Sequence, residues 1–330
     1  MSEIDTSQFI KDIKKLPTWI KHYGLNHHSP SQLNKIDGAW SYEYLYLTQE
    51  QRRKLPGNSK MFAGVQMGSA GQMTIGDYEW HGTRKVEIKK HKNIFDKVLE
   101  NFNAYLPVDE QDRSQHNINR KGLVLMYEQL KNAFKEVGLK APVGCERTVS
   151  MNLPGCQLPC IGRMDYEDQD NFIELKTKWR FRKKGTKGTA PIYPLYGIKK
   201  EISPDFLLQV AFYAVASGKK PYLVIINENS FIIFSALNTI FLYPGKKEGK
   251  KEAEPKRITL PAAPELEPNN LKKIVSKMAM IALRRERLME RHAGKATFVQ
   301  DIEPTFDHPY YWNFGGDHKQ QAMKLWGIDT

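Results

Sequence analysis

Cysteine is scarce in this chain. There are three in 330 residues, Cys145, Cys156 and Cys160, an odd and thinly spread set. Cys156-Gln-Leu-Pro-Cys160 has the spacing of a loop, and a zinc or iron–sulfur site would need more thiolates or nearby histidines. Reduced thiols of an intracellular protein are the expectation, with metal ligation the alternative. Long apolar runs are also missing. No stretch of 18 apolar residues occurs, which argues against a transmembrane helix, and Met1 to Thr6 lacks the basic-then-apolar pattern of a secretory signal. The expected setting is cytoplasmic, without a membrane. Acidic residues are outnumbered, 37 Asp+Glu against 50 Lys+Arg, for a formal charge of +13 and a pI near 9.4. Such an excess points to a polyanionic partner, because cations that neutralise phosphates release counterions.

What is present is ordinary for a globular protein: 40% apolar and 26% charged residues, enough chain for a substantial core, and no internal repeat. Residues 1–140 read as mainly helical. Phe9 to Leu16 and Lys121 to Val137 carry apolar residues at helical spacing, the second ended by Gly138, and Ser29-Pro-Ser31 is a helix start signal. Residues 141–245 read as α/β. Strands are expected at Glu146 to Met151, Tyr222 to Ile226 and Phe231 to Phe234, and a helix at Ser203 to Ser217. Residues 246–330 read as a charged linker to about Arg257, a helix from Asn270 to Arg291, and a polar, aromatic tail.

The densest information lies between Gly162 and Lys176. An apolar run ends at Asp165, Glu167 to Asn171 is turn-like, and Phe172-Ile-Glu174-Leu-Lys176 returns. Strand side chains alternate faces, so Glu174 and Lys176 point one way and Ile173 and Leu175 the other. Asp165 on the partner strand can meet them. Two carboxylates beside a lysine can hold a hard divalent cation and set a water against a phosphodiester. A solvated sheet surface would show the same residues, but the apolar flanks favour a buried, paired arrangement. Glu146, on the preceding strand, is either an added ligand or general base, or a solvent-facing strand residue.

Two further segments bear on the same site. Gln209 and Tyr213 are four apart, on one face of the Ser203 to Ser217 helix, where polar groups on an apolar helix usually have a hydrogen-bonding task. From Lys176 to Lys200 there are nine Lys/Arg and no Asp or Glu. Lys178, Arg180 and Arg182 interleave with Trp179 and Phe181, a composition that suits single-stranded nucleic acid, with rings to stack on bases. A solvated basic loop is the other reading.

The ordered set resembles the PD-(D/E)xK nuclease superfamily, in its RecB-like exonuclease branch of phage- and mitochondrial-type single-strand exonucleases. Ser29-Pro-Ser31-Gln-Leu33 with Tyr42 and Tyr44 is similar to that branch's Ser-x-Ser-x-Leu helix. Gly162-Arg-Met-Asp165 is similar to its G-x-x-D element, Glu174-Leu-Lys176-Thr to E-x-K-T, and Gln209-Val-Ala-Phe-Tyr213 to Q-x-x-x-Y. The matches span roughly residues 29 to 235.

The resemblance implies a restriction-endonuclease-like core, a mixed central sheet flanked by helices, with helical additions at both ends. It implies a metal-dependent DNA exonuclease acting on ends or single strands in recombination, repair or phage genome processing. A structure-selective endonuclease or a non-catalytic nucleic-acid-binding module are the alternatives. Asp165, Glu174 and the Leu175 carbonyl would bind Mg²⁺ or Mn²⁺, Lys176 would serve the attacking water, and Gln209 and Tyr213 would orient the lysine and DNA. A single-strand-binding or recombination protein is a conceivable partner. The sequence departs from the pattern at the histidine of an upstream helix. Gln72 stands there, within Gly68-Ser-Ala-Gly-Gln72-Met-Thr-Ile75, and His81 follows nine residues later. With Ala39-Trp40 after the first helix and no cysteine beyond Cys160, no iron–sulfur cluster is expected.

Overall fold

The computed structural model describes residues 17–55, 57–180, 201–243, 256–293, 295–307, 312 and 317–328. The chain opens with short helices, α1 (Thr18–His22), α2 (Pro30–Leu33) and α3 (Asp37–Ser41), a π-helical turn at Tyr42–Tyr46, and α4 (Gln49–Arg53). The long α5 (Ser59–Ile75) leads to a hairpin of β1 (Tyr78–His81) and β2 (Arg84–Glu87), then α6 (Ile94–Asn103) and α7 (Glu110–Val137). Next come β3 (Gly144–Asn152), β4 (Pro159–Glu167), β5 (Asn171–Thr177), α8 (Pro204–Ser217), β6 (Lys220–Ile226), β7 (Phe231–Phe234), β8 (Thr239–Tyr243) and β9 (Lys256–Leu260). The helices α9 (Pro268–Arg291) and α10 (His318–Leu325) close the chain. None of the described helices is long and apolar enough to cross a membrane.

The fold is α/β. The nine strands among the described residues join one mixed sheet in the order β2-β1-β3-β4-β5-β6-β7-β8-β9, with helices flanking it. The pairs β1–β3 and β5–β6 are parallel, while β1–β2, β4–β5 and β6 through β9 are antiparallel. A parallel neighbour requires a crossover, and α8 supplies it between β5 and β6. Its start and stop follow from sequence: Ser203 precedes Pro204 at the first turn, and Gly218 takes the left-handed conformation (φ 72°) that ends it.

The chain forms two compact units, neither of them a continuous stretch. One comprises residues 1–57, 149–162 and 272–330, the other residues 58–148 and 163–271. Residues 58–140 thus cluster with the sheet strands, whereas the first 57 residues cluster with the C-terminal 59. In the sheet-bearing unit, one apolar cluster gathers Met67 and Ala70 of α5, Leu123, Met126 and Phe134 of α7, and Tyr166, Ile173 and Val224 of the sheet. Burial on this scale gives roughly 1.5–3 kcal/mol per large side chain. In the other unit, Trp40 is fully buried beneath Arg285, whose guanidinium lies 4.7 Å from its ring and donates to the carbonyls of Gln32 (2.6 Å) and Lys35 (2.5 Å). There Ser29 caps α2 in a reciprocal pair with Gln32.

Several expectations need adjusting. The helix read from Lys121 starts at Glu110, because Asp109 accepts the Asp112 N–H (2.7 Å) and caps a first half too polar to show apolar periodicity. The helical first part contains the β1–β2 hairpin, whose second strand is exposed throughout and so has no alternating pattern. The end of the charged linker, Lys256 and Arg257, belongs to β9. The helix expected at Phe9 to Leu16 lies outside the described residues.

Candidate active site

The β4–β5 turn sets the site. Asp168 is buried and its Oδ1 accepts the N–H groups of Asp170 (2.9 Å) and Asn171 (2.7 Å), while Oδ2 accepts that of Lys140 (2.9 Å). This fixes the register Tyr166↔Ile173 and Glu167↔Phe172. Beyond that register come Glu174 on β5 and, on β4, Asp165. Its Oδ2 accepts the Leu175 N–H at 2.7 Å. A side-chain carboxylate thus serves an N–H of β5 just beyond that register.

Glu174 is 3% exposed. One oxygen, Oε1, accepts from Lys176 Nζ at 2.6 Å, and the other, Oε2, is buried without a hydrogen-bond partner among the described residues. Lys176 Nζ also donates to Gln209 Oε1 at 2.6 Å. Gln209 therefore fixes the lysine from α8. Phe206, one turn earlier on the same helix, offers its ring to Lys176 (5.6 Å) and Lys178 (4.7 Å). Burial and the neighbouring Glu174 push the Asp165 carboxyl well above the usual carboxylate range, against the opposing pull of Lys176 and the Leu175 N–H. Two adjacent acids in a protected place are poised to favour a cation.

Glu146 joins this group from β3. Its backbone is left-handed (φ 59°), a conformation that a side chain other than glycine or asparagine rarely adopts. Gln72 Nε2 donates to its Oε1 at 2.9 Å, and Arg163 forms an ion pair with its other oxygen. Burial foremost raises the Glu146 pKa, with Arg163 opposing. Gln72, standing where the resembled family has histidine, therefore touches a carboxylate of the site. His81 lies at the end of β1 and pairs with Glu79 (3.5 Å).

Three of the residues assigned to nucleic-acid contact are placed differently. Trp179 is 6% exposed, packed in the apolar cluster, with its indole N–H on Thr177 Oγ1 (3.0 Å). The Lys178 N–H bonds Ile226 O (2.8 Å), which carries β5 past Thr177, so the alternation that buries Ile173 also buries Trp179. Its ring is not available for base stacking. Arg180 is ion-paired with buried Glu228, and its carbonyl accepts from Gln115 Nε2 (2.6 Å). Tyr213, one turn beyond Gln209, is buried with its ring against Phe172 (centroids 6.1 Å apart). Lys178 remains on the Glu174–Lys176 face. Arg182 and the rest of the basic loop lie outside the described residues. Phe206 was expected to pack against the sheet rather than to face the site, and Arg163 was not singled out from sequence, although it sits two residues before Asp165 and alternation alone puts both on one face.

In the other unit, His28, Cys156 and Glu286 bring their ligand atoms within 4.8 Å of one another, the group among the described residues with that property. Hydrogen bonding already accounts for it. Glu286 accepts from His28 Nε2 (3.0 Å) and from the N–H groups of Gln157 (2.8 Å) and Leu158 (2.9 Å), and the three cysteines are free thiols.

No family model matches the sequence, and none of the curated proteins matches it. A solved structure, "Crystal structure of SSO0001", is similar over 56% of this chain and 83% of its own, at 13% identity and a TM-score of 0.21. A likeness that weak bears on neither fold nor function, which leaves the side chains of β4, β5 and α8 as the basis for a functional reading.

Proposed function

We propose that the protein is a metal-dependent nuclease that hydrolyses phosphodiester bonds of DNA from ends or in single strands, on a restriction-endonuclease-like core. The observation that carries this reading is the convergence of Asp165, Glu174, Lys176 and Gln209, with one Glu174 oxygen buried and unbonded among the described residues. An unsatisfied buried polar atom costs about 1–3 kcal/mol, more when charged, and a second carboxylate alongside adds to it. A hard divalent cation would relieve both penalties. Asp165, Glu174 and the carbonyl of Leu175 would hold Mg²⁺ or Mn²⁺, with Glu146 the further carboxylate within reach. Such an ion, when bound, polarises a phosphoryl oxygen and lowers the pKa of a coordinated water.

The remaining work falls to this chain's own groups. Lys176, held between Glu174 and Gln209, would orient the attacking water and offset charge that develops on the phosphate. Gln209 acts through Lys176 and is a positioning residue. Lys178, on the same face, is placed to meet the backbone of a strand leading to the site.

The test uses end-labelled linear single-stranded DNA, a closed single-stranded circle, Mg²⁺ or Mn²⁺, and a Lys176→Ala control. Loss of a general acid–base group predicts a fall of about 10²–10⁴-fold in turnover for the control. Degradation of the linear strand alone would establish the exonuclease, and cutting of the circle would make it an endonuclease. Binding without cleavage under either metal would sink the catalytic reading.

A further inference from the structure

Arg163 shares the face of β4 that carries Asp165, and its guanidinium is paired with Glu146. Glu146 is the non-glycine residue with left-handed backbone among those described, and Gln72 braces its other oxygen. Such a conformation is strained and persists only where surrounding contacts impose it. Here it sets the carboxylate between Gln72 and Arg163, the latter two residues from Asp165 along β4, and its charge acts on both Asp165 and Glu174. Among the described residues, Glu146, Asp165 and Glu174 do not bring three ligand atoms within 4.8 Å of one another. The third carboxylate therefore does not close a three-ligand group with the pair, and a cation, Arg163, holds one of its oxygens while Gln72 holds the other.

We infer that Arg163 and a divalent cation compete for Glu146, so that an ion held by Asp165 and Glu174 would draw Glu146 over and let the Arg163 guanidinium exchange it for a substrate phosphate. The inference rests on the nuclease reading above. Electrostatics favours the exchange, since a doubly charged ion between three carboxylates outbids one guanidinium for the third. The planar fork of arginine matches two phosphate oxygens at once, and it would be delivered on the catalytic face. Arg163 is in this sense a positioning residue for Glu146 first and a phosphate contact second.

Mn²⁺ binding followed by electron paramagnetic resonance reads the competition without turnover. Arg163→Gln should bind Mn²⁺ about three- to tenfold more tightly than the parent, the scale of removing one partly buried ion-pair partner. Arg163→Lys keeps the charge but lacks the fork, and should gain about twofold, which covers the case in which the glutamine variant does not fold. In a Glu146→Gln background both gains should vanish. With saturating Mn²⁺, Arg163→Gln should raise KM for a single-stranded oligonucleotide about tenfold, the worth of one charge-assisted contact, with a smaller effect on kcat.

Unchanged or weaker Mn²⁺ affinity in folded Arg163 variants would overturn the inference. So would an equal gain in the Glu146→Gln background, which would reduce Arg163 to a distant charge. Absence of Mn²⁺ binding throughout would overturn the competition and the metal-dependent reading together. Binding that responds to Arg163 through Glu146, with no DNA cleavage, would overturn the nuclease reading alone.

Discussion

Asp168 never meets the proposed chemistry, yet it determines where Asp165 stands relative to Glu174. Burial acts to raise its pKa, but the N–H groups of Lys140, Asn171 and Asp170 outweigh that and hold the carboxyl below its ordinary range. A depressed folded-state pKa means that the unfolded chain takes up the proton first as pH falls. The stability contributed by Asp168 is then complete above the ordinary carboxylate range, about pH 4, and lost as pH drops through the lower folded value. Asp168→Ala should cost about 2–3 kcal/mol at neutral pH, since several N–H groups lose one acceptor. Asp168→Asn should cost about 1 kcal/mol, and its gap to the parent should close below about pH 4. Urea denaturation at pH 7, 5 and 3 checks this, and a gap that stays constant with pH would contradict it. Sequence alone made the residues of the short hairpin legible, because alternation and turn chemistry act over a few positions. It missed Arg163, whose partner Glu146 lies on another strand. It misread Trp179 because a ring among cations suggests a stacking platform unless the strand is followed two residues further.

Among the elements, α5 owes its close seat on the sheet to glycine. A Cβ at Gly71 would lie 2.2 Å from the Tyr166 hydroxyl and 2.8 Å from its ring, while that hydroxyl donates to Gly68 O at 2.7 Å. Tyr166 is fully buried and has nowhere to retreat. Alanine for glycine in a helix normally gains roughly 0.5–1 kcal/mol. Gly71→Ala should instead lose about 1–3 kcal/mol, because overpacking against a fixed ring exceeds that gain. Gly68→Ala, with no heavy atom within 4 Å of the added carbon, should show the ordinary gain. Thermal and urea unfolding of the two variants should therefore move in opposite directions, and a shared sign would refute the account. The mixture of Gly, Ser, Ala and Met in α5 gives little apolar periodicity, so the helix was expected only through the family resemblance. The regular strands β6 and β7 and helices α8 and α9 were legible because apolar pattern and caps agree. The edge strands β2 and β9 were not, since short, charge-rich edge strands are written in the same residues as loops, and β1 is only four residues long.

At the scale of the whole molecule, composition says little about organisation. The two compact units draw on separated stretches of chain. No shift in composition marks those boundaries, because each unit is closed by contacts between residues far apart in sequence. Net charge needs no such contacts to be read. The formal +13 exists whatever the fold, and it predicts attraction to a phosphate backbone with a strength set by salt. For a single strand, log affinity falls against log salt with a slope near −0.7 per phosphate neutralised. Three or more contacts then give at least a tenfold loss between about 50 and 200 mM salt. The Lys176→Ala protein with a chelator isolates this term, since neither cleavage nor a divalent bridge contributes. Fluorescence anisotropy of a labelled oligonucleotide should show that steep loss, with little dependence on base sequence. Affinity insensitive to salt would mean that the excess charge is spread too thinly to track a strand, and that substrate is held by the site alone.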